Sequence, residues 1–571
     1  MNLSAGLGSI LQRRLLAQHF LERFFSGELI SRQAEARVTL VHILVVLTIP
    51  GFVISAGLIN KYAALAHGPE SVAFAAALDD KWWFLYFSMV VMGIVTVLEW
   101  SSLFPDRRDY LILSPLPVAS RTILAAKLIS LFQFLLLFTI FVNLLPALLF
   151  PLIVSGGSLA FLGRFVFSHV VSVFAGNTFV FLSLIAVQGL LINLLGPGAF
   201  RNASRLVQFL LLTSLLTVFF LIPIVSYARL SQSPLMLALF PPAWFLGLYE
   251  TLLYGKSPEF AGLARQALSA LGLAGLGFAA TYLVGYRRQV RRILEGERAG
   301  IRGRAGWREA VACLCQRLVF RRPEERAVFN FILRTLLNSE RHRVYLGAYL
   351  GVGVAFVAMG VITMLVRHGP AAIFSQRSEL LSIPLVLTFF TLVGMRVAFA
   401  FPAQLGANWI FRLTEQKDKQ PYLAGVHRAM LLLGILSVVA AVTPFYVLAW
   451  GWRAAGAHMV FAGLLSLLLI EILLLGLDKI PFTCTYLPGK ANLRLLIIPY
   501  LFAFTTYAYT MTALELRLMR NPVLFAAFIC AAFVILSAAI ARRNRKLSRR
   551  KSFVYEAVPL RVAEPLNLGS R

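Results

Sequence analysis

"LISLFQFLLLFTIFVNLLPALLFPLIV" runs from Leu128 to Val154 and holds no ionisable side chain in 27 residues. A helix crosses the hydrocarbon core of a bilayer with about 20 apolar residues, so this run is long enough to span a membrane. It decides the fold because the rest of the chain repeats it. Comparable runs lie at about 38–58, 82–99, 165–191, 207–225, 267–286, 344–365, 380–401, 430–450, 458–477, 495–512 and 523–540. Of the 571 residues, 59% are hydrophobic and 14% charged, against roughly 25% charged in soluble domains. The pattern predicts an all-α polytopic membrane protein of about 12 transmembrane helices.

The chain carries 54 Lys+Arg against 25 Asp+Glu, a net charge of +29. Such a balance can mark a nucleic-acid binder, but here the charges follow the spans. With the N-terminus inside, the inward segments hold 42 basic residues and the outward segments 11, with Arg396 inside a span. Cytoplasmic loops of membrane proteins are enriched in this way. The expectation is a multi-pass plasma (inner) membrane protein with both termini cytoplasmic and no nucleic-acid partner. The first thirty residues lack the pattern of a secretory signal. Cys313 and Cys315 form one C-x-C without a second pair, with Cys484 and Cys530 apart. Reduced thiols fit better than a metal site.

The basic segment 287–343, with 15 arginines, divides the spans into six and six. The expected organisation is a first half at 1–286, this linker, a second half at 344–540 and a basic cytoplasmic tail at 541–571. An amphipathic stretch precedes each half. In Ser9–Phe25 the apolar face is Ile10, Leu11, Leu15, Leu16, Phe20, Leu21, Phe24 and Phe25. In Arg321–Arg343 the stripe is Phe329, Leu333, Leu336 and Leu337, behind Pro323, Glu324 and Glu325. Both suit helices lying in the membrane interface. A long inward segment follows the second span of each half, 103–127 and 401–429, and shorter ones at 196–205 and 478–494 follow the fourth. Six spans return the chain to its starting side. The halves are therefore a parallel repeat about an axis along the membrane normal.

Enzymatic chemistry is absent from the sequence. There is no G-x-x-x-x-G-K-[ST] phosphate loop, no H-E-x-x-H helix and no G-x-S-x-G elbow. No catalytic residue, metal or cofactor is expected in this chain. Polar side chains inside spans are Arg396, Glu471, Asn143 and Asn177, with His169 near a span end. A charge at mid-membrane must face protein or water. An Arg396–Glu471 pair would satisfy both, as a substrate or ion site or as a structural pair.

The segment before Leu128 is "LFPDRRDYLILSPLPVASRTILAAK", Leu103–Lys127. It is too long and too charged for a turn. Its "DRRDYLIL", "SPLP" and "RTILAAK" resemble the loop after the second span in type-2 ABC exporter permeases. The outward "LFPPAWFLGLYETLLYG", Leu239–Gly255, is similar to that family's re-entrant helices through Pro241, Pro242, Trp244 and Tyr249. The second half has no long outward segment between its last two spans.

The resemblance implies two fused halves working without a second permease chain. Separate cytoplasmic ABC ATPase subunits would supply ATP-Mg hydrolysis, and membrane lipids would surround the spans. It also implies docking by Asp106, Arg107, Arg108, Asp109, Tyr110, Leu111 and Leu113 in the first half, and by Trp409, Phe411, Arg412 and Glu415 in the second. The same topology suits an ion-coupled secondary transporter or a non-transporting membrane scaffold. No residue chooses among lipid, glycan, peptide or drug substrates.

Overall fold

A computed structural model of the chain describes residues 2–25, 33–104, 113, 115–116, 118–154, 158–222, 225–255, 258–294, 320, 322–375, 378–403, 408–416, 418–475, 479–483, 500, 502–548 and 553. It divides into two compact units, Met1–Ile301 and Arg302–Arg571. The division falls inside the basic segment 287–343. Every regular element among the described residues is helical, and ten helices are long and apolar enough to cross a bilayer. The chain is thus an all-α, multi-pass membrane protein.

Unit 1 runs α1 (Asn2–Phe25), α2 (Gln33–Leu65), α3 (Glu70–Leu98), α4 (Ser120–Val154), α5 (Leu159–Leu194) and α6 (Pro197–Leu221). Three shorter helices follow, α7 (Tyr227–Leu230), α8 (Pro234–Leu239) and α9 (Pro241–Tyr254), then α10 (Pro258–Leu294). Local chemistry sets the boundaries. Ser158 accepts the Phe161 N–H at the start of α5, as N-cap serines do. Prolines open α8 and α9, where a missing N–H costs nothing. Gly255, at φ 94°, ends α9. Pro146 and Pro151 sit inside α4, tolerable where neighbouring helices satisfy the freed backbone groups. The most enclosed helix is α3. Its Trp82, Phe84 and Tyr86 join Phe150 of α4, Phe165 of α5 and Tyr249 of α9 in one core.

Unit 2 runs α11 (Pro323–Asn338), α12 (Glu340–His368), α13 (Ser378–Ala398), α14 (Asn408–Thr414), α15 (Gln420–Ala429), α16 (Ser437–Leu473), α17 (Met511–Leu518) and α18 (Pro522–Ser548). A π turn at Met430–Leu436 joins α15 to α16, giving a helical run of 54 residues. At 1.5 Å per residue that run would be about 80 Å long, far beyond a core of about 30 Å. Gly451 breaks it with φ 77° and ψ 164°. This run contains the expected ninth and tenth spans. The expected eleventh, 495–512, lies largely outside the described residues. The enclosed central helix is α13, packed by α12 and α16.

The second amphipathic stretch differs from expectation. α11 buries Val328, Phe329, Ile332 and Leu336, and Leu337 is exposed. The stripe is rotated toward Tyr422, Leu423 and Val426 of α15, which cover it within the protein. The approach is close. A Cβ on Gly425 would lie 2.8 Å from the Glu325 carbonyl, so only glycine fits. In α1, Phe20 and Phe24 are buried while Leu11 and Leu15 remain exposed.

Candidate functional site

The connection after α3 begins in a tightly tied corner. Gln188 of α5 donates Nε2 to the Trp100 carbonyl at 2.8 Å, and Trp100 Nε1 donates to Ser204 Oγ of α6 at 2.9 Å. Gln208 caps Val97 O at 3.0 Å, and Tyr282 of α10 reaches Leu103 O at 3.2 Å. Lys127 donates to Ser102 O at 2.7 Å with its ammonium 4.7 Å from the Phe24 ring centre. Side chains from four helices, α4, α5, α6 and α10, thus hold residues 97–104. Burial pushes the neighbouring Glu99 carboxyl up to about 7, against the Ser102 hydrogen bond and the Lys127 charge.

Asp106, Arg107, Arg108, Asp109, Tyr110 and Leu111 lie outside the described residues. Leu113, expected to fill a partner's groove, is buried against Ala17 and Phe20 of α1 and Ala126 of α4. It anchors the far end of the segment instead.

The connection after α13 is tied in the same manner. Ala403 N donates to Phe482 O at 2.9 Å and Phe482 N to Phe399 O at 3.2 Å. His342 Nε2 lies 3.0 Å from Phe401 O, and Asn408 donates to Thr483 O at 2.7 Å. From this base α14 projects Trp409, Ile410 and Leu413, all largely exposed, and Arg412 is exposed beside them. Phe411 turns inward onto Phe331 of α11, ring centres 5.1 Å apart. Glu415 also works inside the chain, pairing with Lys419 and accepting the Phe553 N–H at 2.8 Å. Arg322–Asp418 at 2.8 Å and Arg428–Glu325 clamp α11 to the following segment. The Gln420 N–H, with Arg322 helping, holds the Asp418 carboxyl below its usual range.

A polar layer crosses the middle of each unit. In unit 1, Asn143 and Asn177 come together on Ser88. Asn143 Nδ2 donates to Ser88 Oγ at 2.8 Å and Asn177 Nδ2 at 2.9 Å, with Thr139 Oγ1 3.1 Å from Asn177. In unit 2, Ser466 donates to Thr388 Oγ1 at 3.0 Å and lies 2.9 Å from Tyr507 Oη. Ser88 and Thr388 each stand ten residues before the end of their helix, α3 and α13.

The expected Arg396–Glu471 pair is not formed. Arg396 Nε donates to Leu473 O at 2.9 Å. Glu471 instead meets Arg543 of α18 at 2.5 Å and His427 at 3.2 Å. α18 delivers a nearer guanidinium from its basic C-terminal turn.

Sequence reasoning missed the far end of each unit. Lys81 of α3 and Glu250 of α9 form a 2.7 Å ion pair with both side chains buried. Phe165, Tyr249 and Tyr254 surround the ammonium at 4.9–5.4 Å. Beside it, His169 Nδ1 of α5 lies 3.3 Å from Tyr249 Oη. Pro241 begins α9, Pro242 is buried within it, and Trp244 donates to Ala238 O at 3.1 Å, so these residues pin α9 in place. In unit 2, His458 of α16 and Glu515 of α17 pair at 2.7 Å with no exposure on either side. His169 precedes Asn177 by eight residues and His458 precedes Ser466 by eight, about two turns. An ionisable residue placed just before an apolar run was the available signal.

Among the described residues no group of three or more His, Cys, Asp or Glu could hold a metal ion. No protein-family model, curated protein or solved structure matches the chain.

Proposed function

We propose that the chain is the membrane-spanning permease of an ATP-driven exporter, with two six-span halves fused and separate cytoplasmic ATPase subunits as its motor. The observation that carries this reading is α14. It exposes Trp409, Ile410 and Leu413 on a short helix whose base is hydrogen-bonded into the bundle. A surface apolar cluster on a braced mount suits docking into a partner's groove.

The matched placement of the polar layers and the tied corners supports two equivalent halves. In this reading the 54-residue helical run crosses twice, which makes eleven spans of the ten helices, the expected span at 495–512 is the twelfth, and both termini are cytoplasmic. ATP binding closes the partner ATPases. α14 moves with them, and the tied corners pass the motion to α3 and α13, the most enclosed helices. Two alternative packings of those helices give the two access states.

The test is purification of the intact chain from native membranes. A P-loop ATPase accompanies the wild type and is lost in Trp409→Ala/Leu413→Asp, while insertion is unchanged. Recovery of the chain without an ATPase, together with transport in vesicles driven by a proton gradient, overturns this reading. That outcome favours an ion-coupled carrier, for which the buried Lys81–Glu250 and His458–Glu515 pairs supply ionisable groups.

A further inference from the structure

The acid–base pairs at the far ends of the two units differ in one chemical respect. Lysine and glutamate together carry no net charge over a wide pH range, whether joined or apart. Histidine and glutamate do not. We propose that His458–Glu515 is a proton-binding site, taking up one proton from water each time α17 closes onto α16.

The geometry comes first. His458 Nδ1 and Glu515 Oε1 are 2.7 Å apart, and both side chains are sealed from solvent. Among the described residues neither His458 Nε2 nor Glu515 Oε2 has a hydrogen-bond partner. Aromatic rings stand beside the pair. The Tyr446 ring centre lies 4.8 Å from that of His458 and the Trp450 ring centre 5.9 Å. An isolated charge has no compensation in such a place.

Among the described residues titratable neighbours are few. Tyr446 is the one of these that faces the pair, and its hydroxyl is committed to Leu380 O at 2.5 Å. On α13, Glu379 accepts from its neighbour Ser378, and Arg396 lies near the opposite end of the helix, bonded to Leu473 O. Arg453 on α16 and Arg517 on α17, with Arg520 just beyond it, are exposed. α18 has no charged residue before Arg542.

Proton counting then fixes the linkage. Sealed from water, the pair avoids an uncompensated net charge only with two protons, one on Nε2 and one shared between Nδ1 and Oε1. Open to water, histidine titrates near about 6.5 and glutamate near about 4.3. Above pH ~6.5 the open groups hold one proton between them, so closing takes up one more. Below that pH the open groups already hold two, and closing takes up none. Closure is therefore fully favoured below about pH 6.5 and weakens tenfold per unit as pH rises above it. Lys81–Glu250 exchanges no proton on closing between about pH 4.3 and 10.4. Unit 1 is an internal control. The inference stands whether or not an ATPase drives the protein.

The experiment is backbone hydrogen exchange of the full chain in lipid nanodiscs from pH 6 to 8.5, corrected for the intrinsic pH dependence of exchange. Protection of residues 511–518 falls about tenfold per unit above pH ~6.5, while residues 241–254 stay flat. Glu515→Gln keeps a hydrogen-bonding side chain and flattens the response above pH ~6.5. A flat response at 511–518 in the wild type overturns the proposal. Equal slopes in both segments overturn it too, as does a wild-type slope in Glu515→Gln.

Discussion

The central helix of unit 1 carries Lys81 and Ser88, with Glu99 just past its end. The central helix of unit 2 carries Leu381 and Thr388, with Phe399 at the matching place. The middle position is polar in both units and joins a hydroxyl or amide network. The positions toward the two ends differ, charged in unit 1 and apolar in unit 2. In unit 2 the acid of α17 finds its base on α16, at His458, rather than on the central helix. A mid-membrane polar layer fixes which helix faces meet, because any slip strands a donor in hydrocarbon.

The largest break in this comparison comes from the charged end of unit 1. Lys81→Met leaves Glu250 buried without its cation and costs about 3–5 kcal/mol, whereas adding Glu250→Leu restores stability to near wild type. Thermal unfolding in detergent reads both. Leu381→Met in unit 2 changes little, since no charge is involved, at under about 1.5 kcal/mol.

Glu99 gives the next effect, as a pH dependence. Its carboxyl keeps a proton up to about 7 in the folded protein and releases it near 4.5 when unfolded. The folded state therefore binds more protons between those values, and stability falls as pH rises from about 4.5 to 7, then levels. The loss is about 2 kcal/mol, discounted because Glu99 is part-exposed. Glu99→Gln removes that slope in a melting series across pH. The Phe399 site in unit 2 has no matching slope to remove.

The polar layers are expected to be closer in cost. Asn177→Leu strands Ser88 and Thr139 and costs about 1–3 kcal/mol, and Ser466→Ala costs about 1 kcal/mol. Denaturation of each variant measures whether the unit 1 layer is the stronger. The smallest effect on stability is at α14. Trp409→Ala lies on the surface and shifts stability by no more than about 0.5 kcal/mol, while the proposed docking predicts that it abolishes ATPase capture.

The ten long apolar helices were legible because hydropathy is local and a 20-residue apolar run has few other uses. The amphipathic stretches were legible as helices, but not their facing. α11 was read with Leu337 in its stripe, and α15 draws the buried face toward Val328 and Ile332. Pairings across helices were the least legible. Arg396 and Glu471 were plausible partners by depth alone, yet Arg543 arrives from a helix whose register periodicity does not fix. Lys81 was missed for a local reason. It follows Asp79 and Asp80 and reads as the edge of a loop, one residue before the expected second span. α3 in fact starts at Glu70 and carries Lys81 inside.

In the proposed function two equivalent halves work as a permease driven from outside the chain. Purification from native membranes with ATP hydrolysis as the readout decides whether they do. A co-purifying P-loop ATPase is expected, whose association fails in Trp409→Ala/Leu413→Asp and in the charge-reversed Arg107→Glu/Asp109→Lys, with normal insertion throughout. An ATPase retained in both variants, or a chain that transports in vesicles with no ATPase present, contradicts it.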